Sequence, residues 1–134
     1  MYEYFVKEVK NVVDGDTIDV IIDLGFDILF SSRVRLAGID TPESRTTDKA
    51  EKALGVEAKE YLKKHLKDAK TIVIRTEKMN SSEKYGRILG WVYLDGSKIS
   101  INEQMIADGY AWGYLGDTKV KDFEALAKVR AKKK

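Results

Sequence analysis

The amino-acid sequence predicts a mainly β, α+β domain: a five-stranded Greek-key barrel of the OB type carrying three α-helices. Three observations lead there. Short β-branched runs fill the first third of the chain, helical spacing takes over after Pro42, and two more short runs precede two further helical segments. This order does not alternate as βαβ units, which argues against a parallel sheet. A helix between the third and fourth of five strands suits a small closed barrel. The chain has 134 residues, room for one compact core, so the domain is expected to span residues 1–134.

The elements follow in order. Phe5–Val13 spaces Val6, Val9, Val12 and Val13 among polar residues and reads as the first strand. Thr17–Leu24 is β-branched and stops at Gly25. Leu24-Gly25-Phe26-Asp27 suits a hairpin into a third strand, Ile28–Ile39. There Val34 and Leu36 share one face, so Arg33 and Arg35 share the other. Glu43–Lys52 is polar and aperiodic and reads as a surface loop carrying Lys49 and Lys52; a mobile loop there would suit substrate entry, and its ordinary reading is a loop alone. From Ala53 to Lys67, Leu54, Ala58, Leu62 and Leu66 recur at helical spacing. Thr71–Thr76 and Ile88–Leu94 are the fourth and fifth strands, the latter closed by Asp95-Gly96. Ser100 is a cap for a helix over Ile101–Asp108, and Gly109 sits where that helix ends. Val120–Lys132 is the third helix, running into a basic tail over residues 128–134 whose Lys128 and Arg130 read as a solvated end.

Composition excludes several classes. Without cysteine there is no disulfide framework, thiolate metal site or thiol nucleophile. A balance of 24 basic against 22 acidic residues identifies no partner by net charge alone. No stretch approaches the roughly 20 apolar residues of a membrane span. The charged N-terminus lacks a signal-peptide core, which predicts a cytoplasmic protein, or a secreted one if a leader has been removed. A monomer is the default expectation.

Three motifs carry the chemistry: Val13-Asp14-Gly15-Asp16-Thr17, the run from Arg35 to Asp40-Thr41-Pro42-Glu43, and Lys84-Tyr85-Gly86-Arg87. Asp16 precedes a strand and Asp40 follows one, so paired strands bring both carboxylates to one end of the barrel. Oxygen ligands suit Ca²⁺ or Mg²⁺, with waters completing the shell. Thr41 is biased towards an extended conformation by Pro42, which makes its carbonyl a third candidate oxygen. Glu43, beyond that rigid link, is placed to act on a water as general base. Arg35 and Arg87 offer guanidinium forks matched to phosphate oxygens. Taken singly, each motif has an ordinary reading: Asp-Gly as a turn, Asp-Thr-Pro-Glu as a helix start, Tyr-Gly-Arg as a hairpin link, Arg35 as a surface ion pair. Jointly, five suitable residue types in suitable strand contexts point to attack on a phosphate ester.

From about Asn11 to Ala127 the sequence resembles the staphylococcal nuclease (thermonuclease) family. The resemblance rests on the three motifs and on Asn102-Glu103 with Gly109-Tyr110-Ala111-Trp112. It implies an OB-fold barrel with three helices and Ca²⁺-dependent cleavage of DNA and RNA at the P–O5′ bond, leaving 3′-phosphates. On that likeness Asp16 and Asp40 are carboxylate ligands of the ion and Thr41 a carbonyl ligand. Glu43 is the base or water-orienting group. Arg35 and Arg87 stabilise charge on the phosphate, and Tyr85 lies beside the nucleotide. Mg²⁺ or Mn²⁺ are the other candidate ions.

The sequence departs from the family pattern twice. After Ala-Trp it reads Gly113-Tyr114-Leu115-Gly116-Asp117, which lacks local positive charge but keeps Tyr114 as a stacking candidate. It closes on Ala131-Lys132-Lys133-Lys134 rather than a Gly-Leu-Trp-like segment, which predicts looser docking of the last helix.

His65, the single histidine, has no Cys or His neighbour and reads as a boundary residue. Trp91, Tyr93 and Trp112 read as packing. The sequence therefore predicts a phosphodiesterase acting on DNA and RNA with little base readout. It is expected to prefer single-stranded or frayed regions, because the scissile phosphate enters a cleft between two arginines. A catalytically inactive OB-fold module binding nucleic acid or protein is the alternative, and it predicts loss of one or more of the five charged residues. A Ca²⁺-binding structural protein leaves the arginines without a role.

Overall fold

The computed structural model describes residues 2–76, 88–113 and 123–133. Five strands close a barrel: β1 (Tyr2–Asp14), β2 (Thr17–Asp23), β3 (Leu29–Leu36), β5 (Ile72–Thr76) and β6 (Ile88–Leu94). Between β3 and β5 come a two-residue strand, β4 (Ile39–Asp40), and the helix α1 (Lys49–Asp68). After β6 follow α2 (Ile101–Ala107), β7 (Trp112–Gly113) and α3 (Phe123–Lys133). Around the barrel the order is β1-β2-β3-β6-β5, with β3 and β6 parallel and the other neighbours antiparallel. This is the five-stranded OB-type barrel with three helices that the sequence predicts.

β1 begins three residues earlier than its valine pattern suggests, because β5 gives Tyr2–Phe5 a partner. The same strand then pairs with β2 from Phe5 to Asp14, and irregularities between Val6 and Glu8, Val9 and Asn11, and Val12 and Asp14 bend it from one neighbour to the other. β3 is shorter than predicted. It stops at Leu36, and Gly38, at a φ of 77°, turns the chain into β4. The predicted loop over Glu43–Lys52 is also shorter, because α1 starts at Lys49. Asp48 caps it, accepting from the backbone N–H groups of Ala50 and Glu51 at 3.0 and 3.2 Å. An Asp followed three residues later by Glu is a helix-start signal that apolar periodicity does not register.

The core is aliphatic. Val20, Val34, Leu36, Leu62, Val92 and Met105 are fully shielded from water. Each large aliphatic side chain buried this way contributes about 1.5–3 kcal/mol. α1 lays Ala58, Leu62 and Leu66 on the barrel. α3 docks through Leu126 and Arg130. The Arg130 guanidinium lies 4.0 Å over the Tyr110 ring, its Nε donates to the Gly109 carbonyl at 2.8 Å, and its Nη1 pairs with Glu57. Arg130 is thus part of the packing rather than a solvated end.

One buried polar side chain ties these layers together. Asn102 of α2 accepts from the Val92 N–H at 3.1 Å. Its Nδ2 donates to the Ala37 carbonyl at 2.8 Å and the Gly90 carbonyl at 3.1 Å. Gly90 O has a second partner in the Ala37 N–H, at 2.9 Å. Replacing Asn102 by alanine therefore orphans the Val92 donor and the Ala37 acceptor, at about 1–3 kcal/mol each. Asn102→Ala is expected to lose about 3 kcal/mol or more in chemical denaturation, and a loss below about 1 kcal/mol would show that water replaces the amide.

Candidate active site

The β1–β2 turn and the chain leaving β3 meet at one end of the barrel, around an open cleft of about 310 Å³. Gly15 and Asp16 form that turn, so the ordinary reading of Asp-Gly and the functional one hold together. The turn is tight for a reason. A Cβ on Gly15 would lie 2.9 Å from the Ala58 Cβ and 3.0 Å from the Thr41 Oγ1. Glycine lets α1 and the Thr41 segment close on the strand end that carries Asp16.

Arg35 leaves β3 into this end and is 7% exposed, a low value for a guanidinium that reflects its partners. Its Nη1 donates to the Leu36 carbonyl at 2.8 Å. Its Nη2 lies 3.5 Å from an Asp16 oxygen and 3.6 Å from an Asp40 oxygen. At that range the contacts are ion pairs rather than hydrogen bonds. Asp16 is fixed further by Thr17 Oγ1 at 2.9 Å and by the Thr41 N–H at 3.3 Å. Asp40 is held from behind, since β4 pairs with β7 through Asp40 and Trp112.

Arg33, on the same face of β3, also lines the cleft, at a different carboxylate. It makes a fork with Asp19, at 2.8 Å from Nε and 3.2 Å from Nη2. That hydrogen bond holds the Asp19 carboxyl below its usual range.

Glu43 is exposed and lines the cleft. Its position comes from its backbone. The Glu43 N–H donates to buried Glu51 in the first turn of α1, at 3.1 Å. Ser44 Oγ donates to Asp14. Across the loop, a Cβ on Gly55 would lie 2.4 Å from the Glu43 carbonyl carbon and oxygen and 2.6 Å from Ser44 N. Glu51, Ser44 and Gly55 are positioning residues that pattern reading misses. An isolated glycine inside a helical run, which costs about 1 kcal/mol there, was the available signal.

The structure brings together Asp16, Arg35, Asp40, Thr41 and Glu43. Arg87, Tyr85 and Tyr114 lie outside the described residues. His65 is far from this chemistry, half-buried, with its ring 4.1 Å from that of Tyr61 and Nδ1 2.8 Å from the Tyr61 carbonyl.

The donor set at the cleft suits a hard divalent cation. Asp16 and Asp40 supply anionic oxygens, and Thr41 Oγ1 is buried without a partner among the described residues. No cluster of three or more His, Cys, Asp or Glu suited to a cation occurs among the described residues. A cation held here would thus take most of its shell from water and from phosphate oxygens, as small hard ions do.

The comparisons with known proteins agree with this geometry. Residues 33–134 match the family described as staphylococcal nuclease homologue. An uncharacterised protein of Methanocaldococcus jannaschii is 30% identical over 139 residues, spanning 90% of this chain and 65% of its own length. Endonuclease YncB of Bacillus subtilis is 32% identical over 123 residues, 90% of this chain and 54% of the relative. Endonuclease YhcR of the same organism is 30% identical over 112 residues, 80% of this chain and 9% of the relative. The chain therefore spans less than two thirds of each of these relatives.

Gly55→Ala tests how the Glu43 loop is held. Alanine gains about 1 kcal/mol of helix propensity, but the clash is with backbone, and overpacking of this kind costs about 1–3 kcal/mol. Net destabilisation is expected in urea titration. A more stable variant would show that the loop yields freely.

Proposed function

The chain belongs to the staphylococcal nuclease homologue family, and from that premise we propose that it is a Ca²⁺-dependent nuclease. It hydrolyses phosphodiester bonds of DNA and RNA at the P–O5′ bond and leaves 3′-phosphates. The observation that carries this reading is the guanidinium shared by two acids: one nitrogen of Arg35 lies within 3.6 Å of both Asp16 and Asp40, in a cleft also lined by Glu43. Two relatives bear the name endonuclease.

In this reading Asp16, Asp40 and the Thr41 carbonyl hold the ion. A Ca²⁺ held by these residues would supply Lewis-acid stabilisation of the charge on a phosphate oxygen. Every other task falls to the protein. Glu43 accepts a proton from water as its oxygen bonds to phosphorus. The P–O5′ bond breaks in line with that attack, the 5′-oxygen leaves and takes a proton from solvent, and the phosphate stays on the 3′-oxygen. Arg35 and Arg87 meet the charge on the equatorial oxygens, a kind of interaction worth on the order of 3–4 kcal/mol per donor. Tyr85 and Tyr114 stack against bases, which favours single-stranded or frayed substrate.

Ion binding has a readout independent of turnover. A ligand at 100 times its dissociation constant stabilises the folded state by about 2.7 kcal/mol. Ca²⁺ should therefore raise the thermal midpoint of the native sequence and leave Asp16→Asn/Asp40→Asn unmoved. An equal rise in both would place the ion elsewhere.

The activity itself is tested by release of acid-soluble nucleotides from denatured DNA in Ca²⁺, Mg²⁺ or EDTA. Cleavage in Ca²⁺, abolished by EDTA and lowered about 10²-fold or more by Glu43→Ala or Arg87→Ala, is expected. Cleavage in Mg²⁺ alone would correct the ion. Folded protein inert with every metal would sink the nuclease in favour of a binding module.

A further inference from the structure

A second feature lies on the seam between β1 and the C-terminal half of α1. A groove of about 520 Å³ runs there, edged by Lys7 and Lys10 of β1, Lys63 and Lys67 of α1, and Lys70 just beyond the helix. All five lysines are exposed. Among the described residues none of them makes an ion pair. Asp19, near Lys10, is already engaged by Arg33. The single acid on the lining is Glu8, and Val9 and Leu66 contribute to an apolar floor. Five cations around one groove, against one anion, hold a concentrated positive field in a protein whose overall charge is only +2.

The groove and the active-site cleft share no lining residue, but two elements run from one to the other. β1 lines the groove up to Val12 and the cleft from Val13 and Asp14. α1 carries Lys63 and Lys67 on the groove, and its earlier turns set Gly55 against Glu43 and Ala58 against Gly15. Lys10 precedes Asp14 by four residues, about 13 Å of strand.

We propose that this lysine groove is an extended binding track for the phosphate backbone of a polynucleotide, holding the segment of chain that runs away from the scissile bond. The inference builds on the nuclease reading of the cleft, but it concerns binding several nucleotides distant from the chemistry. It makes the protein discriminate by length: a long strand reaches the track and a dinucleotide does not. Lysine suits the task, since flexible point charges grip a backbone without reading bases.

The test uses the full chain, with Lys7, Lys10, Lys63 and Lys67 all replaced by glutamine, and a second variant with arginine at the same four positions. Binding of a labelled single-stranded 20-mer is measured by anisotropy in EDTA across a salt series, beside binding of a dinucleotide. The glutamine variant should bind the 20-mer at least tenfold more weakly, with a salt slope lower by about 0.7 for every lysine that contacts phosphate. Its dinucleotide affinity should be unchanged, and the arginine variant should recover the native slope. Unaltered 20-mer affinity and slope would overturn the track. So would unaltered oligonucleotide binding with lost affinity for polyglutamate, which would assign the groove to an acidic protein. Hydrolysis of the 20-mer itself by the native chain in Ca²⁺ or Mg²⁺ separates the two claims. If the native chain fails to cleave it while the glutamine variant still loses the 20-mer, the nuclease reading falls and the track stands.

Discussion

The buried amide of Asn102 is the constraint on which the rest of this structure turns. Among the described residues the barrel closes through a parallel seam of three residue pairs, Val34 with Ile88, Arg35 with Leu89 and Leu36 with Gly90. Beyond Leu36 the ladder ends, and the peptide groups of Ala37, Gly90 and Val92 need partners away from water. Asn102 supplies them from a separate helix, one acceptor and two donors in one rigid group. Its hold on the Ala37 carbonyl fixes where β3 stops. Gly38 then turns the chain, and β4 delivers Asp40 to the barrel end. A packing requirement at the centre thus determines the position of a charge at the rim.

At the rim, electrostatics and close approach share the work. A unit ion pair at 3.5 Å is worth several kcal/mol in gross attraction at the effective dielectric of a protein surface, and much of that is offset by desolvation. The Asp16–Arg35–Asp40 cluster therefore adds little net stability, yet it holds two like charges close together. Glu43 is placed differently. Its side chain stays exposed while Glu51 holds its N–H and Gly55 admits its carbonyl against the helix. The acids that face each other, Asp40 buried and Asp16 partly so, are compensated, and the acid that faces solvent is anchored by its main chain.

Much of this was legible in the sequence, and what was not has identifiable causes. β6 ends at its predicted bound, because the apolar run to Leu94 is closed by Asp95-Gly96. The start of α1 was missed because Asp48 and Glu51 are polar cues inside a segment judged by apolar period. β7 was missed because two residues make no pattern. It exists only because β4 lies beside it. Arg130 was misjudged since its neighbours Lys128 and Lys132 suggest a solvated face, whereas the ring of Tyr110 and the carbonyl of Gly109 are set by tertiary structure. The carboxylates and Arg35 were found from residue type and strand context. Gly55 and Glu51, which position Glu43, were not, because their role is a distance between backbones.

The pairing of β4 with β7 also bears on the order in which the molecule assembles. Asp16 and Arg35 belong to the β1–β2–β3 hairpins, which form from local contacts, and such contacts are the quick ones to make. Asp40 is different, because its strand partner Trp112 is reached only after β5, β6 and α2 are in place. A chain with its first half folded would present one carboxylate and the guanidinium without the second acid. The second acid of the cleft thus depends on a strand from the C-terminal half, so loosening of that half bears directly on Asp40.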